Sequence, residues 1–112
     1  MEHFKRKEFA CKCGCGFDAV DVELLEVLEN LRTFTGQPII INSACRCESH
    51  NKAVGGKKNS QHTKGKACDI VVKNMTPKFI YEVLTTKYKD KYGIGLYRSF
   101  VHIDVREKKA RW

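Results

Sequence analysis

Ser60-Gln61-His62-Thr63-Lys64-Gly65-Lys66-Ala67-Cys68-Asp69-Ile70-Val71-Val72 sets a histidine and a carboxylate on either side of a glycine turn, then runs into an apolar β-branched segment. Residues 66–72 read as a strand whose alternation sends Ala67, Asp69 and Val71 to one side and Cys68, Ile70 and Val72 to the other. An aspartate among such neighbours is costly unless it is paired or bound to a metal. Gly65 permits the sharp entry that returns His62 toward it. Near the end, residues 100–105 alternate again: Val101, Ile103 and Val105 face one way, Phe100, His102 and Asp104 the other. Two imidazoles and one carboxylate, His62, His102 and Asp69, form the ligand set of a catalytic zinc site, which takes three protein ligands and leaves a fourth position to water. The competing reading of His62 and Asp69 alone is a hydrogen-bonded structural pair.

The rest of the chain supplies a frame. In residues 18–35, Leu24, Leu25, Leu28 and Leu31 recur at spacings of three and four, with Glu23, Glu26, Glu29 and Arg32 between them. Asp18 or Asp21 caps this helix, and Gly36 and Pro38 end it. Residues 38–43 form a buried strand that gives way abruptly to the polar Cys45-Arg46-Cys47-Glu48-Ser49-His50, a common place for binding groups. Residues 51–54 allow one helical turn, and Gly55-Gly56 with Lys57-Lys58-Asn59 forms a solvated loop. Thr76 and Pro77 open a second helix, 77–88, with Phe79, Ile80, Val83 and Leu84 inward. Strands at 93–97 and 100–105 follow as a hairpin, and the basic tail 107–112 is expected to be loosely held. The order predicts one α+β domain, a small mainly antiparallel sheet with helices packed on one face.

Composition bounds the partners. The chain of 112 residues carries a formal net charge of +8, which suits an anionic partner such as a wall polymer or nucleic acid. Its basic residues are scattered, and its aromatics do not cluster into a stacking platform, which disfavours nucleic acid. No apolar run could cross a bilayer, and the charges at the start have no apolar segment behind them. A monomer, cytoplasmic until released, is expected. The six cysteines suit metal or redox chemistry in such a compartment. Cys11, Cys13 and Cys15, in the lead-in 1–17, which reads as irregular, admit a second, structural ion completed by Cys45, Cys47 or His3. Spacings of a single residue make an awkward bite, and this favours buried or oxidised thiols instead.

Taken in order, Ile41-Asn42-Ser43-Ala44-Cys45-Arg46-Cys47, His50-Asn51, Val54-Gly55-Gly56, Ser60-Gln61-His62, Gly65-Lys66-Ala67 with Asp69, and Val101-His102-Ile103-Asp104 resemble the M15-type zinc D-Ala-D-Ala carboxypeptidases and related peptidoglycan peptidases. The likeness runs from about Phe4 to Arg106. It implies the fold those enzymes share with the Hedgehog signalling domain, a zinc ion on His62, Asp69 and His102, and a peptidoglycan stem peptide as substrate. It also implies that Arg46 recognises a substrate carboxylate or carbonyl, with Gln61 and Ser60 near the metal as polar contacts. Many members place a carboxylate three residues before the last zinc histidine as the catalytic base, where this chain has Ser99. Asp104 is the nearest substitute, either as base or as a group that orients a ligand. The rival readings are a non-catalytic zinc-stabilised binding or structural module and a cysteine-zinc nucleic-acid binder.

Overall fold

The computed structural model describes residues 3–56 and 60–112, so the loop lysines Lys57 and Lys58 lie outside the described residues. After a 3-10 turn at Arg6–Phe9, the elements are α1 (Val22–Thr35), β1 (Ile39–Ser43), α2 (Glu48–Ala53), a second 3-10 turn (Gln61–Lys64), β2 (Ala67–Val72), α3 (Pro77–Lys87), β3 (Gly93–Leu96), β4 (Val101–Asp104) and β5 (Ala110–Arg111). The five strands form one sheet in the order β1-β2-β4-β3-β5, antiparallel except for the β3–β5 pair. The expected α+β class and mainly antiparallel sheet are both present.

α1 buries Leu24, Leu28 and Leu31 of the expected stripe together with Val27, while Leu25 is only partly buried. Between the two candidate caps the structure selects Asp21, whose carboxylate accepts the Glu23 and Leu24 N–H groups. Such a cap is worth about 1 kcal/mol. Gly36, left-handed at φ 64°, ends the helix. Thr76 caps α3, whose Ile80 and Leu84 are buried. Both helices meet the sheet face carrying Cys68, Ile70, Val72, Val101, Ile103 and Ile94 in one core. Truncating a fully buried member such as Leu28 to alanine would cost about 2–5 kcal/mol.

That packing frees the opposite face for chemistry. Asp69 and His102 face each other in the β2–β4 register, as do Ala67 and Asp104. Gly93 and Gly95 of β3 stand opposite Asp104 and His102 on the far side of β4. Gly65 closes the second 3-10 turn at φ 69°, and a Cβ there would come 1.9 Å from the Ala19 carbonyl oxygen. Only glycine satisfies both conditions, and the Gly65 carbonyl accepts the Asp21 N–H just before α1.

Three expectations need correction. The tail is not loose: β5 pairs with β3, and the Leu96 N–H donates to the Trp112 carbonyl at 2.8 Å. The helical turn expected at 51–54 is α2, which starts earlier because the Cys47 sulfur accepts the His50 N–H as its cap. The lead-in is not wholly irregular, since the Arg6–Phe9 turn buries Phe9 completely. No helix among the described residues is long and apolar enough to cross a membrane.

Candidate metal centre

His62 is buried, and its Nδ1 lies 2.6 Å from the Ala44 carbonyl oxygen. A carbonyl only accepts, so Nδ1 carries the proton and Nε2 of the neutral ring presents a lone pair. That Nε2 is 3.3 Å from Asp69 Oδ1. His102 reaches the same oxygen, its Nδ1 2.9 Å away, while its Nε2 faces Asp104 Oδ2 at 2.7 Å. Burial pushes Asp69 up, but the neighbouring His102 and His62 rings outweigh it and, with no ion bound, hold the carboxyl at about 2.

Asp104 is completely buried and still fully paired. Arg106 donates to it from its backbone N–H at 3.2 Å, from Nε at 2.7 Å and from Nη2 at 2.6 Å, and His102 completes the set. Burial opposes its charge, yet Arg106 and then His102 prevail and hold its pKa at about 2. Burial lowers the His102 pKa, and the flanking carboxylates Asp104 and Asp69 more than reverse this, so the ring holds its proton above its usual range.

The donor set fits zinc. Once His102 gives up one proton and keeps its Nε2–H on Asp104, its Nδ1 would present a lone pair beside Asp69 Oδ1 and His62 Nε2. Three acceptors aimed at one place repel one another unless a cation stands among them. One ligand atom from each residue lies within 4.8 Å of the others. Around a tetrahedral zinc with bonds of about 2.0–2.1 Å, donors stand about 3.3 Å apart, close to the 3.3 and 2.9 Å separations here.

Arg46 lies on the other side of Asp69. Its Nη2 is 3.4 Å from Asp69 Oδ2, its Nε donates to Ser43 Oγ at 3.1 Å, and its Nη1 donates to Asn51 Oδ1 at 3.2 Å. A cleft of about 570 Å³ runs from Arg46 past Gln61 and Asp69 to His102, Tyr97 and Trp112. Ser60 also lines it, but its hydroxyl accepts the His62 N–H and so caps the turn that carries His62. Ser99 lies exposed in the turn between β3 and β4.

Sequence reasoning missed Tyr97 and Trp112. The Trp112 ring packs 5.1 Å from the His102 ring, and its Nε1–H donates to the Tyr97 hydroxyl at 2.7 Å. Arg106 lies over the same indole at 5.2 Å. The available signal was Gly93-Ile94-Gly95: glycines two apart strip one strand face of side chains and mark a close approach. A Cβ on Gly95 would meet Trp112 Nε1 at 2.4 Å.

No curated protein matches the chain. A family model described as Peptidase M15 matches residues 2–104, from the lead-in to the end of β4. A match of that extent, over a chain whose His62, Asp69 and His102 converge on one metal-sized position, places it among metallopeptidases: it belongs to the peptidase M15 family.

Proposed function

We propose that this chain is a zinc-dependent peptidase that hydrolyses amide bonds of peptidoglycan stem peptides, as a carboxypeptidase or an endopeptidase. The observation that carries the reading is the convergence of three potential ligand atoms, those of His62 and His102 on rings oriented by further partners, beside a cleft flanked by Arg46. His62, Asp69 and His102 hold the ion. A bound zinc supplies Lewis-acid polarisation of a carbonyl and activation of water.

The chain's own groups do the rest. Arg46, anchored by Ser43, Asn51 and Asp69, offers its guanidinium to a substrate carboxylate or carbonyl. Gln61 lines the cleft as a polar contact for the peptide. Asp104 acts by orienting His102. A carboxyl held at about 2 and occupied by Arg106 is a poor proton acceptor near neutrality, which disfavours Asp104 as the base. Tyr97 accepts the Trp112 N–H and so keeps its own O–H to donate into the cleft, toward charge developing on a carbonyl oxygen. The net charge of +8 favours approach to anionic wall material, on which a monomer released from the cytoplasm, such as a phage lysin, would act.

Digestion of purified peptidoglycan, with mass spectrometry of the released muropeptides, tests the proposal and identifies the bond. New amino and carboxyl ends are expected with wild type and none with His62→Ala, Asp69→Ala or His102→Ala. The exposed Ser99 in the position of a base favours a second reading, a wall-binding module without turnover. Retention on peptidoglycan with no new ends would establish that reading instead.

A further inference from the structure

We propose that Cys11, Cys13, Cys15 and Cys47 hold a second metal ion, a structural zinc bound by four thiolates. The lead-in brings its three thiols to the start of α2, where Cys47 completes the set. One sulfur from each lies within 4.8 Å of the others. Cys11 Sγ is 3.4 Å from Cys13 Sγ and 3.9 Å from Cys47 Sγ, and Cys13 and Cys47 are 3.5 Å apart. A disulfide needs about 2.05 Å, and all these cysteines are free. Zinc–sulfur bonds of about 2.3 Å in a tetrahedron put the sulfurs about 3.8 Å apart, which these separations approach.

The surroundings suit thiolates. The Cys47 N–H points at Cys11 Sγ and the His50 N–H at Cys47 Sγ, both at 3.4 Å. Gly14 and Gly16, at φ 82° and 89°, turn the loop back so that alternate cysteines face one centre. The single-residue spacing that looks awkward in the sequence is accommodated by these left-handed turns. The other candidates for the fourth ligand are engaged elsewhere. Cys45 is buried in the core with Cys68, and His3 Nδ1 pairs with Glu29 at 2.7 Å. The six cysteines thus divide into four for metal and two for packing.

The ion's role follows from position. Cys47 follows Arg46 and caps α2, and the Cys45 N–H donates to the Phe9 carbonyl at 3.0 Å. An ion here staples the lead-in to the segment that presents Arg46. Binding releases the thiol protons to solvent and needs no oxidant. The site stands whether or not the chain is a peptidase.

Zinc analysis of the full chain, purified with reductant, tests the site. About two zinc ions per chain are expected in wild type and about one in His62→Ala/His102→Ala. Adding Cys13→Ser and Cys15→Ser to that variant should remove the remaining ion. Two further readings on wild type decide the matter even if the serine variants do not fold. Cobalt substitution should produce a thiolate-to-cobalt charge-transfer band, and the exposed Cys13 and Cys15 should resist alkylation until a chelator is added. A cobalt spectrum without that band, alkylation unaffected by the chelator, or an intact mass showing disulfides would overturn the proposal.

Discussion

Asp69 and His102 are direct cross-strand partners on β2 and β4, and Asp69 Oδ1 lies 2.9 Å from His102 Nδ1. The sheet register itself, not a flexible loop, sets the spacing of these two candidate ligands. His62 then needs only a short turn, capped by Ser60 and closed by Gly65, to complete the set. Asp69→Asn keeps the shape and removes the anion. It should lose the ion during dialysis that wild type survives, as read by zinc analysis.

Asp104 separates an orienting role from a chemical one. If it fixes His102, Asp104→Asn weakens metal affinity about 10- to 100-fold, and excess zinc restores turnover. A base would behave differently, with kcat remaining low in saturating zinc. Restoration by zinc is the expected outcome, measured by activity against added metal.

Arg46 should influence substrate more than metal. Arg46→Lys keeps the charge but cannot span Ser43, Asn51 and Asp69 together. KM is expected to rise about tenfold or more while zinc content stays at the wild-type level. Tyr97→Phe should instead lower kcat, by about 10- to 100-fold, with KM little changed.

The buried Asp104–Arg106 pair also predicts a pH dependence for the metal-free protein. The folded carboxyl, held at about 2, lies below its ordinary value of 3.8. The ionised form therefore stabilises the native state above about pH 5, and the contribution vanishes as pH falls through about 2. It amounts to about 2 kcal/mol. Urea unfolding of the metal-free protein between pH 6 and 2 should show this acid limb flattened in Asp104→Asn.

Much of this was legible in the chain. The leucine stripe of α1, the Thr76-Pro77 start of α3 and the alternation in β2 and β4 are period signals that located those elements. Phe79, expected inward, is nonetheless exposed, and both faces of β2 and β4 are largely buried. Asp69 stood out as a carboxylate in an apolar strand, because burying one is costly without a partner. Register did not: no local pattern says that Asp69 meets His102 or that Asp104 meets Ala67. β5 was invisible because a strand of only Ala110–Arg111 is too short to show a period. Cys47 could not be chosen over Cys45 because they differ by two positions, and only the turn after β1 decides which sulfur faces the lead-in.

Trp112 offers a direct reporter of that missed strand, being the chain's one tryptophan. Its indole packs against both His102 and Arg106 and is half-buried. Gly95 leaves the space it occupies, so Gly95→Ala should force the indole out, since the added Cβ would stand 2.5 Å or less from two of its ring atoms. The emission maximum should shift to the red as the ring meets water. Loss of the indole from one side of His102 should also weaken the ring's placement and lower zinc affinity, by less than Asp104→Asn does. Fluorescence and zinc titration of the same variant check both. An unshifted spectrum would mean that the tail does not dock against His102 in solution.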